Sequence, residues 1–324
     1  MEHVYLLSCA PAQHGGGVHK YSLTKAGKLT PLAAFPCEKP MYAVRRGDTL
    51  HVLLRYENEQ AQIRTGACLA LGLDAAGDFL SATAPFPSRG EVPCHLTVIG
   101  DDVYLVNYIT GNVVKNGQKA VHHAGRGPHA VRQATAHTHF VELLPDGFLG
   151  VCDLGTDTLR IYDRDLKPLS AAKVPDGHGI RHFVTAKKGD TTYLYAVNEL
   201  MPSVSRFVYQ NGRAVYLDTV EIPCERSEAT AAAIRLSSDG RYLYVSVRAE
   251  NIIAVFAVGA DGSLTLLQTA TCGGDGPRDF LLIDGYLVCA NQFSSTVTVF
   301  GMREGKLSEM TDSIPLADPL CVLR

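Results

Sequence analysis

Apolar and polar residues alternate with a period of two along most of this chain. In Arg241-Tyr-Leu-Tyr-Val-Ser-Val247, every second side chain falls on the same side of an extended backbone. This is the pattern of a strand, and the i, i+3, i+4 spacing of an amphipathic helix is missing from these segments. One short version recurs: an aromatic or aliphatic residue, alternating Leu or Val, then a small or polar residue. It starts at Tyr5, Leu50, Val103, Phe148, Tyr193, Tyr242 and Tyr286, which are 45, 53, 45, 45, 49 and 44 residues apart.

A repeat in the forties built from strands predicts a β-propeller, whose blades are four-stranded antiparallel sheets around a central channel. A strand and a turn precede each copy after the first, as in His139–Leu144 before Pro145-Asp-Gly147, and Ala232–Leu236 before Ser238-Asp-Gly240. A third strand follows, at Leu159–Tyr162, Ser203–Phe207, Ile252–Phe256 and Thr296–Phe300, and then an outer one such as Leu264–Leu267. These are strands A to D, counted outward from the channel, with the recurring copy as B. The first copy has no A strand before it. Asp318–Arg324 reads as an A strand with no B after it, and is similar to Lys39–Arg45 and Val92–Val98. The C-terminus is therefore expected to supply the inner strand of the blade that the N-terminus begins, hiding two edges that would otherwise template aggregation. The expected fold is all-β: one seven-bladed β-propeller domain over residues 1–324, closed by a C-terminal inner strand. The stretch from Tyr56 to Ala67 fits the repeat poorly.

Composition narrows the partners. The 324 residues are 46% hydrophobic and 19% charged, which suits a folded chain rather than a disordered one. The net charge of −3 argues against nucleic acid, so an anion must be held by local Arg or His groups. No apolar run is long enough for a membrane helix, and Met1-Glu2-His3-Val4-Tyr5 does not read as a signal peptide. The nine cysteines are scattered, odd in number and without C-x-x-C, as expected for reduced thiols in a cytoplasmic protein. Nothing in the sequence specifies an oligomeric state.

In an antiparallel A–B pair, the start of A and the end of B share one end of the sheet. Polar residues at those positions should converge on one mouth of the channel. At A starts stand His95, His137, His139, Arg181, His182, Arg278 and Asp279. At B ends stand Asn107, Tyr108, Asp153, Asn198, Glu199, Arg248, Asn291 and Gln292. Arginines, histidines and a carboxylate around one mouth make an anion site with acid–base capacity. Asp153 is expected to cap its B–C turn, and the recurring asparagines to be turn residues. Glu199 is harder to explain structurally, because a carboxylate rarely sits at an inner strand end without a partner. His137-x-His139 has a spacing seen in metal sites, but no diagnostic third ligand follows, so the metal-free reading is preferred. Signatures such as G-x-S-x-G, H-E-x-x-H and the phosphate-binding loops are absent.

Several stretches together resemble the seven-bladed lactonase family, which includes propeller 6-phosphogluconolactonases and fungal carboxymuconate cyclases. They are Gly125-Arg-Gly-Pro with Arg132-Gln133, His137-Thr-His139, Asp153-Leu-Gly-Thr-Asp157, Arg181-His-Phe183, Val197-Asn-Glu-Leu200 and Gly276-Pro-Arg-Asp-Phe280. The similarity spans nearly the whole chain. Departures are Gly179-Ile180 where the family commonly has Gly-Pro, and Val247 where it has Asn. The resemblance implies catalytic roles for His139, Arg181, Glu199 and Arg248, four residues that the strand-end positions also bring to the mouth; those positions add His95, His137, His182, Arg278 and Gln292 as substrate-binding candidates. It implies a lactonase that opens an anionic sugar lactone without metal or cofactor, most simply a 6-phosphogluconolactone. The alternatives are a muconate-type cycloisomerase or a non-catalytic propeller that binds a ligand or protein. Substitutions at Glu199 and Arg248 are expected to spare the melting temperature.

Overall fold

The computed structural model describes residues 2–57 and 64–324. Seven antiparallel sheets stand around a channel. Their A strands are Pro319–Leu323, Pro40–Arg46, Pro93–Ile99, Thr138–Leu143, Ile180–Lys188, Thr230–Leu236 and Pro277–Ile283, belonging to blades 1 to 7 in that order. Each A strand neighbours the next, and that of blade 7 returns to that of blade 1. The recurring sequence copies form the B strands, at Glu2–Ser8, Thr49–Arg55, Asp102–Asn107, Leu149–Asp153, Thr191–Asn198, Tyr242–Arg248 and Tyr286–Asn291. Two short 3₁₀ turns, Ala12–His14 and Leu154–Thr156, are the helical segments among the described residues. Some strands outrun their sequence-based ends: Leu264–Thr271 and Thr296–Arg303 are longer than expected. In the poorly matching Tyr56–Ala67 stretch, residues 58–63 lie outside the described residues, and Gly66 already begins the C strand of blade 2.

The core lies between blades. Tyr195, Val197 and Val204 of blade 5 pack against Ile234, Val245 and Phe256 of blade 6. B strands are covered on both faces by neighbouring blades, which is why their sequences read as apolar runs. Burying one such side chain contributes roughly 1.5–3 kcal/mol. The D strands face water along one side, and in Arg213–Glu221 exposed residues dominate.

Tyrosines on the B strands tie neighbouring blades together. The Tyr5 hydroxyl donates to the Gly77 carbonyl in the C–D turn of blade 2, at 2.6 Å. Tyr104 does the same to Arg164 of blade 4, Tyr195 to Gly262 of blade 6 and Tyr244 to Gly305 of blade 7, at 2.7, 3.0 and 2.7 Å. Each bond satisfies a polar group of an otherwise apolar side chain and fixes the angle between two sheets.

The ring closes as expected. Tyr5, Leu6 and Leu7 pair with Leu323, Val322 and Cys321, and the Cys9 N–H donates to the Asp318 carbonyl at 2.9 Å.

A β-bulge interrupts the start of every A strand. Leu320, Met41, Cys94, His139, Arg181 and Arg278 are each skipped in the pairing with the B strand. In blade 6, Ala232 and Ala233 together oppose Ser246. A bulge adds a residue to one strand and re-aims its side chain. Here seven bulges form one tier around the channel mouth. The next residues along the strands form a second tier, and Tyr42, His95, Phe140 and His182 touch in succession there, with ring centroids 4.3, 4.1 and 4.6 Å apart.

Two outcomes are expected. Removing Pro319–Arg324 exposes the inner edge of Glu2–Ser8, and the truncated chain should aggregate or lose its cooperative melt; a soluble truncation with an unchanged melting temperature would contradict strand closure. Tyr195→Phe and Tyr244→Phe should each destabilise by about 1–3 kcal/mol in urea titrations, because a buried acceptor loses its donor.

Candidate functional site

The bulge tier and the B-strand ends enclose a cavity of about 280 Å³ at one mouth of the channel. Met41, Cys94, His139 and Arg278 reach it from bulges. Arg55, Tyr108, Glu199 and Arg248 reach it from B-strand ends, and Arg132 from the loop between blades 3 and 4. Gly179 helps set Glu199. It adopts φ +68°, a left-handed conformation suited to glycine, and its carbonyl accepts the Glu199 N–H at 2.8 Å.

Glu199 is the centre of the charge arrangement. Its side chain is 3% exposed. One carboxylate oxygen, Oε2, receives the Arg181 Nε–H at 2.8 Å, and His139 Nε2 stands 4.0 Å from it. The other, Oε1, pairs with Arg132 and with Arg248 Nη2, the latter at 3.2 Å. Arg181 is anchored in turn. Its Nη1 donates to the Ala232 carbonyl at 2.7 Å and to His182 Nε2 at 3.1 Å. Burial alone would raise the Glu199 pKa, but the guanidinium groups of Arg248, Arg181 and Arg132 outweigh it and hold the carboxyl well below its usual range. Arg181 is drawn down to about 9, by burial foremost and by Arg278 and Arg248, and is still a cation at neutral pH. Three arginines, Arg132, Arg181 and Arg248, thus hold one carboxylate, and Arg278 lines the same cavity. The excess positive charge is local, within a molecule of net charge −3.

His139 is neutral at physiological pH. Burial, and then Arg181, press its pKa well below 6.5. Among the described residues its Nδ1 has no hydrogen-bond partner. Burial of the Cys94 thiol raises its pKa to about 12, so it is not a thiolate nucleophile. No group of three His, Cys, Asp or Glu side chains among the described residues is placed to hold a metal ion. No helix among them is long and apolar enough to cross a membrane.

The remaining sequence candidates divide. Arg278 lines the cavity. His182 lies behind Arg181 in the second tier, its ring 5.2 Å from that of His139. His95 belongs to the second tier too. It lines a different cavity of about 440 Å³, formed by the far ends of the A strands at the opposite mouth. One residue of register separates it from Cys94, whose bulge takes the mouth position. His137 precedes its strand and stacks on Tyr108 at 4.5 Å, with Nδ1 against the Tyr108 carbonyl at 2.8 Å. Gln292 follows the last B strand, with its N–H donated to the Gly276 carbonyl, outside the lining of the cavity. Asp153 makes no side-chain cap to its turn. It accepts the His137 N–H at 2.9 Å and pairs with buried His123 at 2.8 Å. The asparagines are structural: Asn107 bonds Ser88 and Asn112, Asn198 bonds Ser203 and Ser205, and Asn291 bonds Thr298.

Reading from strand ends placed Tyr108 at the mouth but passed over Arg132, Met41, Cys94 and Arg55. Arg132 sits in an irregular loop where periodicity carries no signal. The motif Arg132-Gln133 was the available hint. Burial also changes the stability expectation. Removing the Glu199 charge strands Arg181 in the interior, and breaking one side of a buried pair costs about 3–5 kcal/mol.

Fold and site together define a propeller whose bulged inner strands build an arginine–carboxylate–histidine mouth. A family model described as "Lactonase, 7-bladed beta-propeller" matches residues 4–324, and the chain belongs to that family. A solved protein from Lactobacillus plantarum is 30% identical, with a TM-score of 0.86 over 99% of this chain and 98% of its own. A Bacteroides fragilis protein provisionally named a 6-phosphogluconolactonase is 25% identical, with a TM-score of 0.89 over 99% and 97%. The periplasmic gluconolactonase of Pseudomonas aeruginosa shares the fold, with a TM-score of 0.87 over 99% and 98% at 24% identity.

Acid should destabilise this arrangement in a defined window. His95, His139 and His182 are all held neutral, by burial foremost, with pKa values well below 6.5. The unfolded chain takes up their protons below about pH 6.5 while the folded chain does not, so stability is full above that pH and falls as pH decreases. The depressed Glu199 carboxyl adds a further loss below about pH 4.3, its unfolded value. Melting temperature should be flat from pH 8 to 7 and fall from about 6.5 downward. His95→Phe should reduce the slope by about 1.4 kcal/mol per pH unit; an unaltered slope would mean that His95 titrates normally in the folded state.

Proposed function

We propose that this chain hydrolyses an anionic sugar lactone of the 6-phosphogluconolactone type. The observation that carries the reading is the Glu199 carboxylate held by Arg132, Arg181 and Arg248, with neutral His139 4.0 Å away, in a cavity that Arg278 also lines. Family membership and the lactonase names of two structural neighbours support it.

Lactone opening needs a base for water, charge stabilisation for the tetrahedral oxyanion, and a proton for the departing ring oxygen. Glu199 is a poor proton acceptor, because its arginines favour the charged form. His139 is a free base and takes the role. It accepts a proton from the attacking water, and the Glu199 carboxylate stabilises the imidazolium that forms. Arg248 and Arg278 face the cavity and stabilise the oxyanion. His139 then returns the proton to the ring oxygen as the C–O bond breaks, leaving the open-chain acid. Arg181, committed to Glu199 and the Ala232 carbonyl, is a positioning residue.

A panel of aldonolactones, assayed with and without a chelator, tests the reading. The phosphorylated lactone should be opened fastest and the chelator should not slow it. If none is opened faster than in buffer, while a muconate undergoes ring closure, the cycloisomerase reading replaces it. On the best substrate, Arg248→Ala and Glu199→Gln should each lower kcat about 10²–10³-fold, and their combination should fall far short of the product of the two. kcat/KM should hold steady from pH 8 to 6.5 and decline only at lower pH, because His139 must be neutral and its pKa lies below 6.5. A decline already centred near pH 7.5 would exclude His139 as the base.

A further inference from the structure

The arginines around Glu199 differ in how firmly they are held. Arg181 is 3% exposed and also bonds the Ala232 carbonyl and His182. Arg248 is 10% exposed and also donates to the Ala231 carbonyl at 3.3 Å. Arg132 is 36% exposed, and among the described residues its side chain meets, besides Glu199, only the Tyr108 hydroxyl, at 3.3 Å from both Nε and Nη2. Of the three arginines that contact Glu199, it has the weakest hold and the readiest access to solvent.

The backbone beneath it is fixed. Gln133 is fully buried. Its side chain donates to the Leu154 carbonyl at 2.9 Å and accepts the His129 N–H at 3.1 Å. Its backbone closes a turn with His129 and receives the Gly127 N–H. A Cβ on Gly127 would come within 2.5 Å of the Gln133 amide, so the loop packs closely around that anchor. The Arg132 side chain can therefore change partners without moving the chain that carries it.

Glu199 does not depend on Arg132 for neutralisation, because Arg181 and Arg248 remain when it leaves. We propose that Arg132 is the specificity-determining residue of this site: it exchanges Glu199 for a phosphate monoester carried at the far end of the substrate. The proposal rests on the lactonase reading for the identity of the reaction, but not for the identity of the anion. A lactone that enters ring first brings its carbonyl to His139 and Arg248, and its trailing substituent lies level with the outermost cation. A guanidinium can meet a phosphate with two parallel N–H bonds, which Tyr108 and half of a shared carboxylate do not match.

The test uses stable product acids, so it does not depend on turnover. Binding of 6-phosphogluconate and of gluconate is measured by calorimetry on the full chain and on Arg132→Met and Arg132→Lys. The wild-type protein should prefer the phosphorylated acid by at least about 10-fold, and Arg132→Met should lower that preference by about 10–100-fold, the range for hydrogen bonds to a charged group. Arg132→Lys should keep part of it, as a point charge without the fork. With lactones, Arg132→Met should raise KM for the phosphorylated substrate far more than it lowers kcat. The proposal is overturned if the wild-type protein shows no preference, or if Arg132→Met weakens both acids alike. Equal losses would mark a residue that merely positions Glu199. If no lactone is opened but the binding preference behaves as expected, the anion assignment stands and the hydrolase reading falls.

Discussion

Every inner strand of this propeller starts with a bulge, and the site depends on it. A regular A strand would alternate its side chains between neighbouring blades and the channel, with the mouth set by whichever residue came first. The skipped residue breaks that alternation, and Met41, Cys94, His139 and Arg278 line the cavity as a result. The blades can be nearly uniform because chemistry is confined to these irregular positions and to the B-strand ends beside them. In blades 1 and 6 the same tier holds Leu320 and the Ala232-Ala233 pair, so its chemistry is concentrated on part of the ring.

Placing a carboxylate in that tier raises an electrostatic problem that the neighbouring blades solve. Glu199 is desolvated, and a lone buried charge would instead take up a proton. Arg181 comes from the same blade, Arg248 from the next, and Arg132 from the loop before blade 4. Their combined field keeps the carboxylate charged, while burial, and then Arg181, keeps His139 neutral. A neutral imidazole and a charged carboxylate thereby stand about 4 Å apart. The cost is stability held in a charge network that the strands alone do not supply.

The tyrosine ties and the aromatic second tier serve the same end. Tyr5, Tyr104, Tyr195 and Tyr244 fix how each blade meets its neighbour, and a site assembled from several blades needs those angles held. Tyr42, His95, Phe140 and His182 fill the channel beneath the mouth, between the 280 Å³ cavity and the 440 Å³ one at the far end.

Much of this was legible along the chain. The seven B strands, the closing strand at Pro319–Leu323, and the positions of His139, Arg181, Glu199 and Arg248 near one mouth follow from period-two alternation and a repeat in the forties. Both are local properties and survive without knowledge of what packs where. The distinction between His139 in the mouth and His95 beneath it was not legible, because it turns on a one-residue bulge, and the skipped residue differs in type from blade to blade. Asp153 read as a turn cap for a similar reason: its partners, His123 and the His137 N–H, lie outside its own turn. Arg132 has no periodic context, and its reach to Glu199, 67 residues away, exists only once blades 3 to 5 have closed around the channel. Local patterning therefore determined which segments are strands and where their ends meet. Tertiary packing decided which end residues share a cavity and what charge each one carries there, because both depend on neighbours from other blades.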